Sequence, residues 1–225
     1  AIEIVDQPEW VKTMDDNVKH YKLPNTRFLK NVVYKNRVTG EIVIATIRGD
    51  LEVNKNKLEH VTDTVGLLDD ANDEDLASIG TKSGSVHSWG YEGKKVIFVG
   101  DNSLRTVKNF IGGKKTKEND TINVNYGKDF EHPITADIAK AKAGFLSPDG
   151  KSKLIEKKGI EAGNIFQFGQ HYSLKMAGAN FTDEKGNKIP YFMGAHGFGI
   201  GRSLEAVVEV SNDDRSRIWP KSISP

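Results

Sequence analysis

A glycine-rich run near the end of the chain contains the residue types best suited to binding a ligand directly. Four of the nine residues from Gly194 to Arg202 are glycines. Glycines let the backbone approach a ligand closely or adopt positive φ, and a helix that begins after them offers free N–H groups to an anion. Arg202 lies at that helix start, where its flat guanidinium could meet a phosphate and stack on a base. The segment predicts a phosphate or nucleotide contact, and a glycine-rich turn with a surface arginine is the open alternative.

Two familiar nucleotide-binding motifs do not fit this segment. A P-loop requires glycine and lysine at positions that are His196 and Arg202 here. A dinucleotide-binding fingerprint requires a surrounding βαβ unit. Instead, an antiparallel hairpin is predicted before the glycines, and only 15 residues follow Val210. Both motifs are therefore excluded, and spacing alone does not decide between a ligand site and a structural turn.

The elements that must position such residues follow from periodicity and turn chemistry. Residues 1–22 are predicted to be helical because apolar side chains recur at helical spacing, namely Trp10, Val11, Met14 and Val18. The next predicted elements are a hairpin (28–35 and 41–48), helices at 54–60 and from 72, a strand at 96–99, a helix from 103 that ends at Gly112-Gly113, and a strand at 121–126. A strand (159–168), a hairpin (177–193) and a helix (202–210) complete the prediction. The turn at 147–150 suggests domains at 1–150 and 151–225.

Composition narrows the class of protein. The chain has 225 residues, 37% hydrophobic and 28% charged, as expected of a soluble globular protein. No stretch approaches the ~20 apolar residues of a membrane span, no signal peptide is recognisable, and the first residue is Ala1, which suggests a piece of a longer chain. Cysteine is absent and the six histidines match no ligand motif, so no metal site is predicted. A net charge of +1 requires any nucleic-acid contact to be local.

The carboxyl-terminal third resembles motif 3 of bacterial-type prolyl-tRNA synthetases. The resemblance lies in residues 193–202, Glu205-Ala206, residues 213–220 and residues 223–225, preceded by a strand-like segment at 158–169. In that family, the motif 3 arginine holds ATP during amino-acid activation, and Arg202 matches it. The resemblance implies that Gly197, Gly199 and Arg202 bind ATP, with Mg²⁺, in the parent enzyme.

Residues 1–150 resemble the insertion that these enzymes carry between motifs 2 and 3. The matching pieces are residues 32–35, 47–54, 98–101, 136–138 and 147–150. In the family this insertion is an editing domain that hydrolyses alanine from mischarged proline tRNA. Editing is needed because a pocket shaped for proline rejects the smaller alanine by only ~1–3 kcal/mol.

The resemblance also implies which residues edit. Lys35 matches the essential lysine of the editing site, and Asp101 matches an acidic residue at the edge of its pocket. Gly84, Ser85 and His87 fall in a loop that lines the substrate pocket in the family. The family's proline in that loop and its histidine near Asp120 are both missing. His87 either replaces that histidine or is a surface residue.

The expected fold is mixed α+β, with a mixed-sheet editing domain and an antiparallel piece of a class II catalytic domain. The chain is identified as a fragment of a cytoplasmic, homodimeric synthetase of this family, with proline tRNA as partner and with no cofactor for editing and no membrane contact. Residues resembling motifs 1 and 2 are absent, so the fragment alone is not expected to aminoacylate. A tRNA acceptor-end binding module without editing activity is the alternative. A basic stretch at Lys108, Lys114, Lys115 and Lys117 could contact tRNA phosphates or be solvated.

Overall fold

The computed structural model describes residues 1–114 and 119–224, so Lys115 and Lys117 of the basic stretch lie outside the described residues. The chain divides into two compact units, Ala1–Lys140 and a second unit that begins at Ala141. The first unit contains β1 (Glu3–Asp6), α1 (Met14–Tyr21), β2 (Leu29–Asn36), β3 (Ile42–Arg48), α2 (Lys55–Val61), β4 (Leu68–Asp70), α3 (Asp73–Ser78), β5 (Val96–Asp101), β6 (Asn119–Ile122) and β7 (Ile134–Ala136). The second contains β8 (Gly163–Gly169), β9 (Asn180–Thr182), β10 (Lys188–Pro190), β11 (Met193–Phe198) and α4 (Ile200–Ser211).

A mixed five-stranded sheet organises the first unit, with strand order β4-β2-β3-β5-β7. The pairs β2–β3 and β2–β4 are antiparallel, whereas β3–β5 and β5–β7 are parallel. Strand β3 is buried along nearly its whole length, from Ile42 to Ile47. A central strand covered on both faces needs a continuous apolar run rather than alternation, which is the pattern here. The mixed sheet and few helices confirm the predicted mixed α/β class.

The predicted amino-terminal helix, residues 1–22, is wrong for more than its first half, up to Thr13. Strand β1 pairs with β6 in an antiparallel register that joins Glu3 to Ile122, and this partner lies too far along the chain for local periodicity to reveal. The helix begins only at Met14, because Thr13 and Asp16 form a reciprocal capping box there.

Short-range signals elsewhere gave correct predictions. The hairpin of β2 and β3 and the helix α4 are confirmed. Asn54 caps α2 by accepting a hydrogen bond from the Lys57 N–H, and Asn72 and Asp75 form a capping box at α3. The predicted helix from Ser103 is wrong beyond one 3₁₀ segment, Asn102–Thr106.

The second unit is built on the antiparallel pairs β8–β11 and β9–β10, followed by α4. Helix α4 has no buried residue, and several large apolar side chains of this unit are exposed, among them Phe192, Phe198, Ile200 and Val210.

Candidate active site

The two residues predicted to catalyse editing lie at opposite ends of the sheet. Lys35 pairs with Ile42 across β2 and β3, and Ile42 pairs with Val96 at the start of β5. Asp101 is the last residue of β5, five residues further along. A strand rises about 3.3 Å per residue, which places the two positions roughly 16 Å apart along the sheet. The predicted cleft shared by Lys35 and Asp101 is therefore wrong.

Lys35 is engaged in an ion pair with a helix terminus. Its Nζ atom donates a hydrogen bond of 2.5 Å to Oδ1 of Asp75, which forms the capping box of α3 with Asn72. This contact lowers the pKa of the Asp75 carboxyl below its usual value, because the ammonium stabilises the charged form. The Lys35 side chain is 41% exposed, whereas the Asp75 side chain is only 8% exposed. We interpret Lys35 as a residue that joins β2 to α3.

Asp101 is buried and bound internally through both carboxylate oxygens. Oδ1 accepts a 2.8 Å hydrogen bond from the Ser103 N–H, and Oδ2 accepts a 2.9 Å bond from the Ile138 N–H. The first bond caps the 3₁₀ segment that follows β5. The second attaches the chain after β7 to the same strand end. This geometry is that of a structural capping residue.

A cavity of about 200 Å³ lies elsewhere in the first unit. Its walls come from the start of α1, the first half of β2, the loop at 84–86, the segment 111–113 and β6. The lining residues are Lys12, Thr13, Met14, Asn17, Phe28, Leu29, Lys30, Asn31, Gly84, Val86, Ile111, Gly112, Gly113 and Asp120. A concave space with a few converging polar groups is the usual form of a small-ligand site.

Lys30 is a charged residue in the lining of this cavity. It is half-buried on β2, and its Nζ donates a 3.2 Å hydrogen bond to the carbonyl oxygen of Leu51. The bend that holds Leu51 here requires Gly49, since a Cβ on Gly49 would lie 2.6 Å from the Asn25 carbonyl oxygen. The sequence does not reveal Lys30 as a cavity residue, because its distance from the other lining residues depends on how the strands pair.

One residue next to Lys30 attaches the predicted substrate loop to the sheet. The Asn31 amide donates a 2.8 Å hydrogen bond to the Val86 carbonyl oxygen. Its Oδ1 accepts hydrogen bonds from the hydroxyls of Thr46 and Ser88, at 2.8 and 2.9 Å. With its amide oriented by three partners, Asn31 holds the loop at 84–86 against the cavity.

The three predicted substrate-binding residues lie in different positions relative to the cavity. Gly84 lines the cavity, and Ser85 and His87 are not among its lining residues. The Ser85 N–H donates to the Lys82 carbonyl oxygen within the loop. The His87 ring stacks on Tyr91 with centroids 5.7 Å apart.

Two glycines that the sequence suggested as a helix end form part of the cavity wall. Gly112 and Gly113 have φ of +100° and +96°, which L side chains rarely adopt. A Cβ on Gly113 would lie 2.5 Å from the Trp89 ring. The Gly112 N–H donates 2.8 Å to the Thr121 carbonyl oxygen, which joins this segment to β6. Glycine is required here both by conformation and by close packing.

Asp120 is an acidic residue in the lining of the same cavity. The residue is 2% exposed. Its Oδ1 accepts a 2.8 Å hydrogen bond from the Thr121 N–H, and Oδ2 accepts a 3.3 Å bond from the Gln7 amide.

The charge of Asp120 also acts on the Tyr21 hydroxyl. Burial raises the pKa of Tyr21 to about 12, and the charge of Asp120 adds to the shift.

The predicted ATP-binding residues lie together at one end of the antiparallel pair β8–β11 in the second unit. Gly197 pairs with Asn164, and the Gly199 N–H donates to the Ala162 carbonyl oxygen before α4 begins. Arg202 lies in the first turn of α4, and its Nη1 donates 2.8 Å to the Glu161 carbonyl oxygen. The Arg202 side chain is 56% exposed.

Within residues 1–114 and 119–224, the helices lack the length and continuous apolar sequence that a membrane span requires. No group of three histidine, aspartate or glutamate side chains in this described part is arranged to hold a metal ion.

Comparisons with solved structures support the fold. A hypothetical protein superposes with a TM-score of 0.51 at 15% identity, and covers 62% of this chain and 92% of that one. A protein described as a candidate trans-editing enzyme for prolyl tRNA synthetase superposes with a TM-score of 0.50 at 14% identity, over 62% of this chain and 87% of that one.

Comparisons of sequence identify relatives over the whole chain. The proline–tRNA ligase of Fusobacterium nucleatum is 37% identical over 224 residues, which is 100% of this chain and 39% of the relative. That of Thermoanaerobacter pseudethanolicus is 34% identical over 220 residues, 96% of this chain and 37% of the relative. The chain thus spans 37% to 39% of the length of these relatives. Residues 8–128, more than half of the chain, match the family described as the aminoacyl-tRNA editing domain. The chain belongs to the aminoacyl-tRNA editing domain family.

Proposed function

We propose that the first unit hydrolyses the ester of mischarged aminoacyl-tRNA, with alanine on proline tRNA as the substrate, in the cavity next to Lys30. The observation that carries the proposal is Lys30, which lines a small cavity and whose Nζ donates a hydrogen bond to the Leu51 carbonyl oxygen. Membership of the editing family and whole-chain similarity to proline–tRNA ligases support the choice of substrate.

The chemistry requires a water molecule and a polarised ester. Water adds to the ester carbonyl carbon, the bond to the ribose oxygen breaks, and the proton goes to that oxygen, which yields free amino acid and tRNA. Negative charge develops on the carbonyl oxygen, and a positioned cation stabilises it more in the transition state than in the ground state. In this proposal Lys30 supplies the stabilising positive charge, or it holds the terminal ribose and phosphate. Lys35 takes no part.

A matched pair of lysine variants tests this assignment. Lys30→Ala should lower the deacylation rate of alanyl-tRNA by about 100-fold, the usual order for removing one oxyanion-stabilising group. Lys35→Ala, on the same strand but outside the cavity, should keep a rate close to that of the unchanged protein. The opposite ranking would overturn the assignment. If the protein binds the tRNA acceptor end without accelerating deacylation, the domain is a binding module.

The second unit is proposed to be part of the class II catalytic domain of a cytoplasmic, homodimeric proline–tRNA ligase. The names of the full-length relatives support this assignment. The exposed guanidinium of Arg202 and the adjacent Gly197 and Gly199 fit the phosphates of ATP. Ligands for the accompanying Mg²⁺ are not grouped in residues 1–114 and 119–224.

Arg202 can be tested separately from editing. In the full-length protein, Arg202→Ala should abolish proline-dependent ATP–pyrophosphate exchange and leave alanyl-tRNA deacylation unchanged. Exchange at the original rate would contradict the ATP-binding role.

A further inference from the structure

Asp120 is an unusual component for a cavity proposed to bind an anionic nucleic acid. A buried carboxylate is costly unless it has hydrogen-bond donors or a counter-charge. The Gln7 amide and the Thr121 N–H hold this one in a fixed orientation within the wall. Gln7 also donates a 3.1 Å hydrogen bond to Oδ1 of Asn17, another lining residue, so the amide joins two sides of the cavity.

The cavity has its charges on separate strands. Lys30 lies on β2 and Asp120 on β6, and the segment 111–113 runs between them. The Leu29 N–H donates to the Ile111 carbonyl oxygen on one side, and the Gly112 N–H donates to the Thr121 carbonyl oxygen on the other. Two strand spacings of about 4.8 Å therefore separate the two backbones, about 10 Å in all. The lining thus carries positive charge on β2 and negative charge on β6.

An aminoacyl ester on tRNA has the same separation of charge. Its α-ammonium is positive at neutral pH, and the phosphate next to the terminal ribose is negative. We propose that the Asp120 carboxylate binds the α-ammonium of the substrate, while Lys30 faces the ester and ribose. The inference rests on the proposed hydrolase function. It restricts the substrates to aminoacyl esters with a free, charged α-amino group and excludes N-acylated esters and hydroxy-acid esters.

The decisive measurement is binding, because it does not require hydrolysis. The probes are two acceptor-stem RNAs that carry alanine on the terminal ribose through a stable amide, one with a free amino group and one N-acetylated. The unchanged protein should bind the free-amino probe about tenfold more tightly or better, as expected for a close charge pair. Asp120→Asn keeps the shape and one acceptor oxygen, and should reduce this preference to within about threefold.

Controls separate this inference from the function on which it rests. Asp63→Asn makes the same change at an exposed position and should retain the full preference. Equal binding of the two probes by the unchanged protein would overturn the inference, even if alanyl-tRNA is deacylated. The inference would also be overturned if Asp120→Asn lowered the deacylation rates of the alanyl and N-acetylalanyl esters by the same factor. That result would assign Asp120 to the hydrolytic step. Preference for the free-amino probe without any hydrolysis would uphold the inference and refute the hydrolase function.

Discussion

The side-chain amide of Asn31 donates a 2.8 Å hydrogen bond to the carbonyl oxygen of Val86. The two residues are 55 positions apart in the chain, and both line the same cavity. This contact attaches the loop at 84–86 to strand β2, beside Lys30. A side chain of the sheet thus helps to hold the loop of the candidate site in place.

Removal of this amide should loosen the loop. Asn31→Ala leaves the Val86 carbonyl and the hydroxyls of Thr46 and Ser88 without a partner, and should cost about 1–3 kcal/mol of unfolding free energy in urea. Hydrogen exchange at residues 84–88 should accelerate. Asn56→Ala, at an exposed position of α2, is the control, and equal effects of the two substitutions would contradict this role.

Asp101 should act on stability rather than on catalysis. Asp101→Asn can accept only one of the two backbone N–H bonds that the carboxylate accepts, so we expect a loss of about 1–3 kcal/mol. The deacylation rate per folded molecule should stay close to its original value at a temperature where the variant is folded. A large fall in that rate with unchanged stability would return Asp101 to a catalytic role.

Two glycine substitutions should separate backbone strain from steric conflict. Gly127→Ala meets no atom within 4 Å at φ +81°, so it should cost only about 1 kcal/mol of strain. Gly113→Ala adds a conflict with the Trp89 ring, and should cost roughly 1–3 kcal/mol more. Thermal or urea unfolding of both variants measures the difference. Equal costs would mean that the Trp89 ring moves freely and does not constrain the cavity wall.

His132 should make the fold sensitive to acid. Burial lowers its pKa to about 4, and its ring stacks parallel to Phe98 with centroids 5.2 Å apart. The unfolded chain, with a histidine pKa near 6.5, binds a proton at a pH where the folded protein does not. Above about pH 7, this group should therefore leave the free energy of unfolding unchanged. Between about pH 6.5 and pH 4, its protonation in the unfolded chain should lower that free energy by about 3 kcal/mol in total.

The variant His132→Phe keeps an aromatic ring in the stack and removes the titrating group. Unfolding free energies measured in urea at several pH values should show a shallower decline below pH 6.5 than in the unchanged protein. Identical slopes would assign the acid sensitivity to other groups.

Local signals in the sequence determined many of the elements. The caps at Asn54 and at Asn72 with Asp75 act within three residues, and the hairpin of β2 and β3 closes over a short turn. Such interactions are encoded in neighbouring residues, so composition and spacing reveal them. The resemblance to synthetase editing insertions likewise depends only on the order of residues, and family membership confirms it.

Tertiary structure alone decided which side chains share a site. Lys30 and Lys35 are both lysines on one strand, and only the pairing register and the contacts of α1, β6 and the loop at 84–86 place Lys30 at the cavity. The strand β1 depends in the same way on β6. Register across distant strands is set by the collective burial of apolar side chains and by turn geometry. No short stretch of sequence contains that information, because each strand acquires its neighbours only when the whole sheet forms.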